Sequence, residues 1–377
     1  MSSSTELYTR LFQTIRPLVH VSNIKQLANW LWITVGILQA DSIALSKIAI
    51  YLPGSAIAES RITTIRRWLM NFKVDVWSFY RPILEHALQG WQSVHALVIL
   101  DGVTVFNDRW QIFRLSLAHG RRAIPLVWMV LPTEGLTQVE ILEGMLRRAA
   151  EFLNPHVQQV TFLADRGFRD CDWAELCLKL GWNYVIRLAN STRIGLADGQ
   201  WLRLDHLSVI PDKCCAFQKV LVARSVKWPA CVTVTRTHPD TKGKSEIVAV
   251  MSNRAAGRNR LREYAYRMDI DESFRDDKSG GFDMAHTRLQ HPERLERMLL
   301  AVALATLWCH ELGEQVMSQG ESIRRTIDPG SKRELSLFQL GLRWLKRCIA
   351  NAIHLVPVFA ACLSPMKLAP VIKSGDP

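Results

Sequence analysis

The sequence predicts an α/β fold: a mixed sheet with a β-rich insertion, flanked by helical N- and C-terminal regions. Three observations carry this reading. Apolar residues recur at helical spacing from about residue 5 to residue 90. From Ala96 the texture changes to short apolar runs alternating with helical segments. From about Asn190 to Arg262 the runs become β-rich and polar, after which helical periodicity returns.

Residues 1–92 read as a helical region punctuated by Pro17, Pro53 and Pro82. Within it, Ile62–Phe72 follows Glu59-Ser60-Arg61 and mixes Arg66 and Arg67 with Trp68. With Arg61, this segment reads equally as a DNA-contacting helix or as a solvated amphipathic helix packing its apolar side inward. Residues 93–189 open on Ala96–Asp101, a short apolar run ending in an acid, hence a buried strand. Trp110–His119 and Ala123–Leu131 are two further strands, separated by the turn-like Gly120-Arg121-Arg122. Thr137, with Glu140 three residues on, has the spacing of a capping box and predicts a helix to about Phe152. Gln159–Ala164 is a strand ending in Asp165, Asp172–Leu180 a helix, and Asn183–Leu188 another strand. In residues 190–262, the segments Lys219–Val226, Cys231–Thr237 and Ser245–Met251 read as strands, with Pro239–Gly243 as a loop. Residues 263–292 carry a polar helix, and residues 293–377 the helices Arg294–Glu311 and Glu334–Ile353.

The composition of the 377 residues, 48% hydrophobic and 22% charged, is that of a globular chain rather than a disordered one. Lys and Arg number 47 against 35 Asp and Glu, a net charge of +12 that favours a polyanionic partner, nucleic acid or an anionic membrane surface. No uninterrupted apolar run reaches the roughly 18 residues of a membrane span, so no membrane partner is expected. Met1–Thr5 lacks the charged and apolar regions of a signal peptide. The eight cysteines include one adjacent pair, Cys214-Cys215, and no CxxC, which suits a reducing, cytoplasmic compartment and argues against a structural zinc site.

The chemistry concentrates in Tyr264–Lys278. On one α-helix at about 100° per residue, Tyr264, Arg267, Asp271 and Lys278 fall within roughly 60° of one another, with Arg275 beside them. A carboxylate flanked by a phenol and cations suits a metal ion held against a phosphate. Asp101 and Asp165 each end a predicted buried strand, where a carboxylate sits on a rigid element at the sheet edge. Either aspartate alone is more often a turn residue or a helix cap. If the strands are neighbours the carboxylates converge, and converging carboxylates call for a hard cation between them. Three acids suffice to hold two Mg²⁺ ions about 3.5–4 Å apart for in-line phosphoryl transfer. Helix phase favours Asp271 as the third, with Glu272 about 100° away as the alternative.

On these residues the chain resembles the DDE transposases of bacterial insertion sequences, the cut-and-paste group with a Tyr-x2-Arg-x3-Glu-x6-Lys signature. Tyr264, Arg267 and Lys278 stand at that spacing, with Asp271 where the family usually has Glu and Glu272 one step on. Asp165-Arg166-Gly167-Phe168 is similar to the family's second-acid motif, and Leu100-Asp101-Gly102 to its unspecific first. The resemblance runs from about Ala96 to Leu289. It implies an RNase H-like core built from residues 93–189 and 263–292, interrupted by the insertion of residues 190–262. It implies two Mg²⁺ (or Mn²⁺) ions held by Asp101, Asp165 and Asp271 or Glu272. Tyr264, Arg267, Arg275, Lys278 and Arg166 would meet DNA phosphates, and Arg61, Arg66 and Arg67 would bind DNA from the N-terminal region. The implied partners are double-stranded DNA, as terminal inverted repeats and target, and a second copy of the chain in a synaptic complex. The implied reaction frees the transposon ends and joins their 3′-hydroxyls to target DNA, often through a hairpin, in a bacterial cytoplasm. A nuclease of the same fold without strand transfer, or a catalytically silent DNA-binding derivative, are the alternatives.

Other candidates are weaker. His310-Glu311 has no second His at metalloprotease spacing and reads as helix surface. Cys214-Cys215 reads as packing, and no Walker-type loop implies ATP. Trp201 and Trp228 read as fillers of a small β core, with stacking on an unpaired base as the alternative.

Overall fold

The computed structural model describes residues 3–106, 108–132, 138–284, 288–355 and 357–363. In chain order the helical region holds α1 (Ser3–Ile15), α2 (Ile24–Ala40), α3 (Leu45–Ile48), α4 (Ala58–Met70) and α5 (Val76–Ala87). There follow β1 (His95–Val105), β2 (Trp110–His119), β3 (Arg122–Pro132), α6 (Val139–Leu153), β4 (Gln159–Ala164), α7 (Cys171–Lys179) and β5 (Asn183–Arg187). The β-rich stretch supplies β6 (Arg193–Gly195), β7 (Trp201–Arg203), β8 (Cys214–Val222), β9 (Trp228–Arg236) and β10 (Ile247–Ser252). The remainder is α8 (Arg258–Ala265), α9 (Met268–Arg275), α10 (Pro292–Ser318), α11 (Glu321–Arg325) and α12 (Leu337–Ala350). Two compact units result. Of the described residues, the helical unit comprises those in 3–92, 102–132 and 269–363, and the sheet unit those in 93–101 and 138–268.

In the helical unit, side-chain caps start the helices where the sequence offers Asn, Asp or Ser. Asn23 Oδ1 accepts from the Lys25 N–H, Asp75 Oδ2 from Ser78, and Ser336 Oγ from Gln339. Pro82, expected to end a helix, instead lies inside α5. A proline there gives up one backbone hydrogen bond. The helix carries through because Phe79, Tyr80, Ile83 and Leu84 are all buried on the unit's core. The capping box expected at Thr137 falls outside the described residues; α6 begins after Gln138, whose side chain makes no cap bond.

Helix α10 forms the axis of this unit, in contact with α2, α4, α5, α12 and β3. Its crossing with α12 depends on two glycines: a Cβ on Gly341 would collide with the Cys309 carbonyl oxygen, and one on Gly313 with that of Leu337. So enclosed a helix has little free surface, and this corrects the reading of His310-Glu311 as helix surface: both are buried. His310 Nδ1 lies 2.9 Å from the Thr306 carbonyl, and Glu311 Oε1 accepts from the Val358 N–H at 2.7 Å. No single helix among the described residues is long and apolar enough to cross a membrane.

In the sheet unit, β1 runs parallel to β4, in register from His95 opposite Gln159 to Leu100 opposite Ala164. β4 is parallel to β5, and β5 then pairs antiparallel with β10. The strands continue in the order β10-β9-β8-β6-β7. The β-rich insertion therefore extends the same sheet from β5 outward, joined to it by β10. Leu97–Leu100 and Val160–Ala164 are buried throughout, as in parallel strands covered on both faces.

Candidate functional site

The site in the sheet unit begins with register. Because Leu100 stands opposite Ala164 in parallel strands, the next residues, Asp101 and Asp165, stand side by side; β4 ends there as expected, whereas β1, expected to end at Asp101, runs on to Val105. Asp101 is nearly buried within β1. Asp165 leaves β4 as the N-cap of the single 3₁₀ turn Arg166–Phe168. Its two oxygens divide their tasks: Oδ1 accepts from the Gly167 N–H at 2.7 Å, while Oδ2 lies 3.9 Å from Arg267 Nη2. Asp165 is therefore a cap through one oxygen, while the other faces Arg267. A Cβ at residue 167 would stand 2.9 Å from Asp165 Oδ1, so any larger residue there would push that carboxylate aside. Phe168 fixes the turn by packing edge-on against Trp173 of α7 at 5.3 Å.

Arg267 completes the cluster by donating to Asp101 Oδ2 at 2.6 Å through the same Nη2. One guanidinium nitrogen thus serves both carboxylates, and the set is a pair of hard oxygen donors converging on a single cationic position. That chemistry fits a divalent cation such as Mg²⁺. Among the described residues no group of three or more His, Cys, Asp or Glu is placed to hold a metal ion. The pair would need a third donor.

Arg267 does not lie in a continuous helix, contrary to the sequence reading. α8 ends at Ala265, Tyr266–Arg267 form a turn, and α9 begins at Met268. Asp276–Gly280 then form a π turn. A 100° phase cannot be summed across two such breaks, so the single face uniting Tyr264, Arg267, Asp271 and Lys278 is not formed as expected. Tyr264, on α8, is hydrogen-bonded to Arg187 at the end of β5; burial pushes its phenol above the usual range, with Arg187 and Arg267 pulling the other way. Arg187 also donates to Glu246 Oε1 at 2.6 Å, and that oxygen lies 4.0 Å from Arg166 Nη1. Arg187 and Glu246 were missed by motif reading; the available signal was Arg187's place at the end of a strand neighbouring that of Asp165.

Asp271, Glu272, Arg275 and Lys278 belong to the helical unit. Asp271 and Glu272 are consecutive on α9 and so still point about 100° apart. Asp271 is half-buried. Glu272 lies 3.1 Å from Arg275 and 3.9 Å from Arg122. Ile270, Ser273 and Phe274 form the buried side of α9, and Ser273 Oγ accepts from the Ala123 N–H at 2.7 Å. Two acids the motif reading passed over anchor the π turn: Asp276 pairs with Arg122 and Asp277 with Arg114, which also lies 4.4 Å over the Phe274 ring. Burial raises the Asp277 carboxyl, and Arg114 lowers it. Lys278, half-buried, follows in that turn, while Arg275 is exposed.

The N-terminal arginines separate. Arg61 donates to the Leu52 carbonyl at 3.3 Å and so braces the loop before α4. Arg66 and Arg67 are exposed while Ile65, Trp68 and Leu69 are buried, giving an amphipathic helix with a cationic side. In the β-rich stretch, Trp201 packs over Gly195 and Trp228 donates to the Tyr184 hydroxyl at 3.0 Å, consistent with packing roles.

No family model and no curated protein matches the chain. Among solved structures, it is similar to a piggyBac transposase synaptic complex with hairpin DNA, with a TM-score of 0.46 and 11% identity over 93% of this chain and 78% of that one. It is also similar to Marinitoga piezophila Argonaute in complex with 5′ OH guide RNA and target DNA, with a TM-score of 0.23 and 10% identity over 56% of this chain and 29% of that one. At these values neither likeness assigns an activity.

Proposed function

We propose that the chain is a metal-dependent DNA transposase that cleaves transposon ends and joins their 3′-hydroxyls to target DNA. The observation that carries this reading is the convergence of Asp101, inside β1, and Asp165, just past the end of the adjacent parallel strand β4, on one cation, Arg267. The motif residues flanking these three positions support the same reading.

Asp101 and Asp165 would hold the metal. Divalent ions held there would supply activation of the attacking oxygen and stabilisation of the leaving one. The remaining chemistry belongs to the chain. Arg267 keeps the two carboxylates converged, so the donor set is preorganised. The same guanidinium could also donate to a phosphate oxygen. Tyr264, a neutral phenol near pH 7, can donate to a phosphate rather than repel it. Arg166, exposed beyond Asp165, supplies a second phosphate contact.

The test uses linear DNA carrying the inverted repeats that flank the gene, a supercoiled plasmid target, and Mg²⁺ or Mn²⁺. Freed ends joined to the plasmid are the expected result. Hydrolysis without joining would make the chain a nuclease, and a mobility shift without cleavage would reduce it to a DNA-binding protein.

A further inference from the structure

The helical unit contains a cleft of about 700 Å³ bordered by α3, α4 and the start of α10. We infer that this cleft is a docking site for the phosphodiester backbone of duplex DNA, an inference that rests on the reading of the chain as a DNA-processing protein. Its floor is aliphatic, with Ile43, Ile62, Leu69 and Leu289. Its rim carries Lys47, Arg66, Arg288 and Arg294, against one carboxylate, Asp283, among the described lining residues. Asp283 is already engaged, 3.3 Å from Ser42 Oγ and 3.5 Å from Lys47 Nζ. Among the described residues Arg66 is tied to Glu59 alone, in an exposed pair of the kind that contributes little and opens readily.

Charge and layout choose the occupant. The cations come from three separate segments, α3, α4 and the residues leading into α10, so they suit a row of anionic groups better than one small anion. His291 caps α10 without a side-chain bond, and it lines the cleft together with Arg294 of the first turn. The partial positive charge of a long helix's N-terminus therefore adds to the rim. No aromatic side chain other than His291 is among the described lining residues, which removes the stacking platform that single-stranded bases would use. What remains is contact to phosphates, which orients a duplex without reading its sequence. The sequence points to Arg66 as a DNA contact; Lys47, Arg288 and Arg294 carry no motif and are brought to it by tertiary packing.

The experiment compares the full chain with the double variant Lys47→Ala/Arg288→Ala, both exposed positions. Affinity for a duplex of about 30 base pairs without terminal repeats is measured in EDTA across about 50–300 mM salt. The expected result is affinity reduced by about 10-fold or more near 100 mM salt, and a log–log salt slope shallower by about 2, since each lost phosphate contact removes close to one unit. The exposed pair Arg147→Ala/Lys179→Ala, on α6 and α7, serves as the charge-matched control and leaves the slope unchanged. An unchanged slope in the cleft variant, equal losses in the control, no duplex binding by the parent chain, or competition by polyglutamate as strong as by duplex would each overturn the cleft assignment. Cleavage plays no part in this measurement. A shallower slope in a chain that never cuts DNA would therefore overturn the transposase reading and leave the cleft standing.

Discussion

Arg267 donates to Asp101 at 2.6 Å from the same nitrogen that lies 3.9 Å from Asp165. A side-chain cation thus occupies the position at which two carboxylates converge, where it offsets their mutual repulsion. Replacing it with a neutral group leaves two like charges facing one another at a poorly hydrated edge. Arg267→Gln is expected to lower stability in EDTA by on the order of 2 kcal/mol, between the exposed and fully buried limits for breaking an ion pair. Millimolar Mn²⁺ is expected to raise the melting temperature of the variant more than that of the parent, because the ion meets no competing guanidinium. Equal shifts would sink the idea that Arg267 stands where a metal binds.

Asp101→Asn and Asp165→Asn remove charge while keeping shape. The amide oxygen at position 165 can still accept from the Gly167 N–H, so the turn survives. Each variant is expected to lose metal-dependent cleavage by about a thousandfold or more. Duplex affinity measured in EDTA should stay within about threefold of the parent. Cleavage at the parental rate by either variant would remove these residues from the site.

Gly167 tests the same turn from the backbone side. Its φ is ordinary, and the constraint is space: an added methyl meets Asp165 Oδ1 at 2.9 Å. Gly167→Ala should displace the carboxylate by several tenths of an ångström, enough to cost on the order of a hundredfold in cleavage rate. Because the turn is solvent-facing, the melting temperature should move by only a few degrees. A variant that cuts normally would show that Asp165 has slack.

What the sequence made legible, and what it hid, divides along the local and the tertiary. Asp101 and Asp165 could be paired in advance because each follows an apolar run of strand length, and parallel neighbours in register deliver their next residues together. The turn at Tyr266–Arg267 could not, because no Gly or Pro marks it. Its side chain is fixed instead by partners more than a hundred residues upstream. Nothing local marks Asp276 and Asp277 as ion-paired, because their partners, Arg122 and Arg114, lie far upstream in the chain. Pro82 and His310 misled for one reason. Local rules describe an exposed helix, and both residues sit in helices whose surroundings are set by the rest of the unit.

Gly341 measures how closely α10 and α12 are packed. A methyl group there would lie against the Cys309 carbonyl oxygen, and backbone cannot rotate away as a side chain can. Gly341→Ala should therefore cost about 3 kcal/mol or more, at or beyond the upper end for overpacking a core. The helical gain from replacing glycine, about 1 kcal/mol, is too small to compensate. Chemical denaturation would report this as a lowered midpoint with an unchanged slope, and a neutral substitution would mean that the two helices separate at little cost.

Glu311 makes stability depend on pH in a predictable direction. Burial pushes its carboxyl from 4.5 up to about 7, while hydrogen bonds from Val358, Phe359 and Gln315 pull it down. Its Oε2 is buried with no hydrogen-bond partner among the described residues, the atom a retained proton would occupy. Between pH 4.5 and about 7 the unfolded chain has lost this proton while the folded chain still holds it. Folding is therefore progressively disfavoured as pH rises through that window, by on the order of 3 kcal/mol in total, and the penalty is constant above it. Glu311→Gln cannot ionise. Its stability relative to the parent should climb from pH 5 to pH 7 and level off by pH 8, whatever the amide costs at all pH values. Unfolding free energies at four or five pH values suffice, and a difference that stays flat across the window would mean Glu311 is ionised in the folded chain at pH 5.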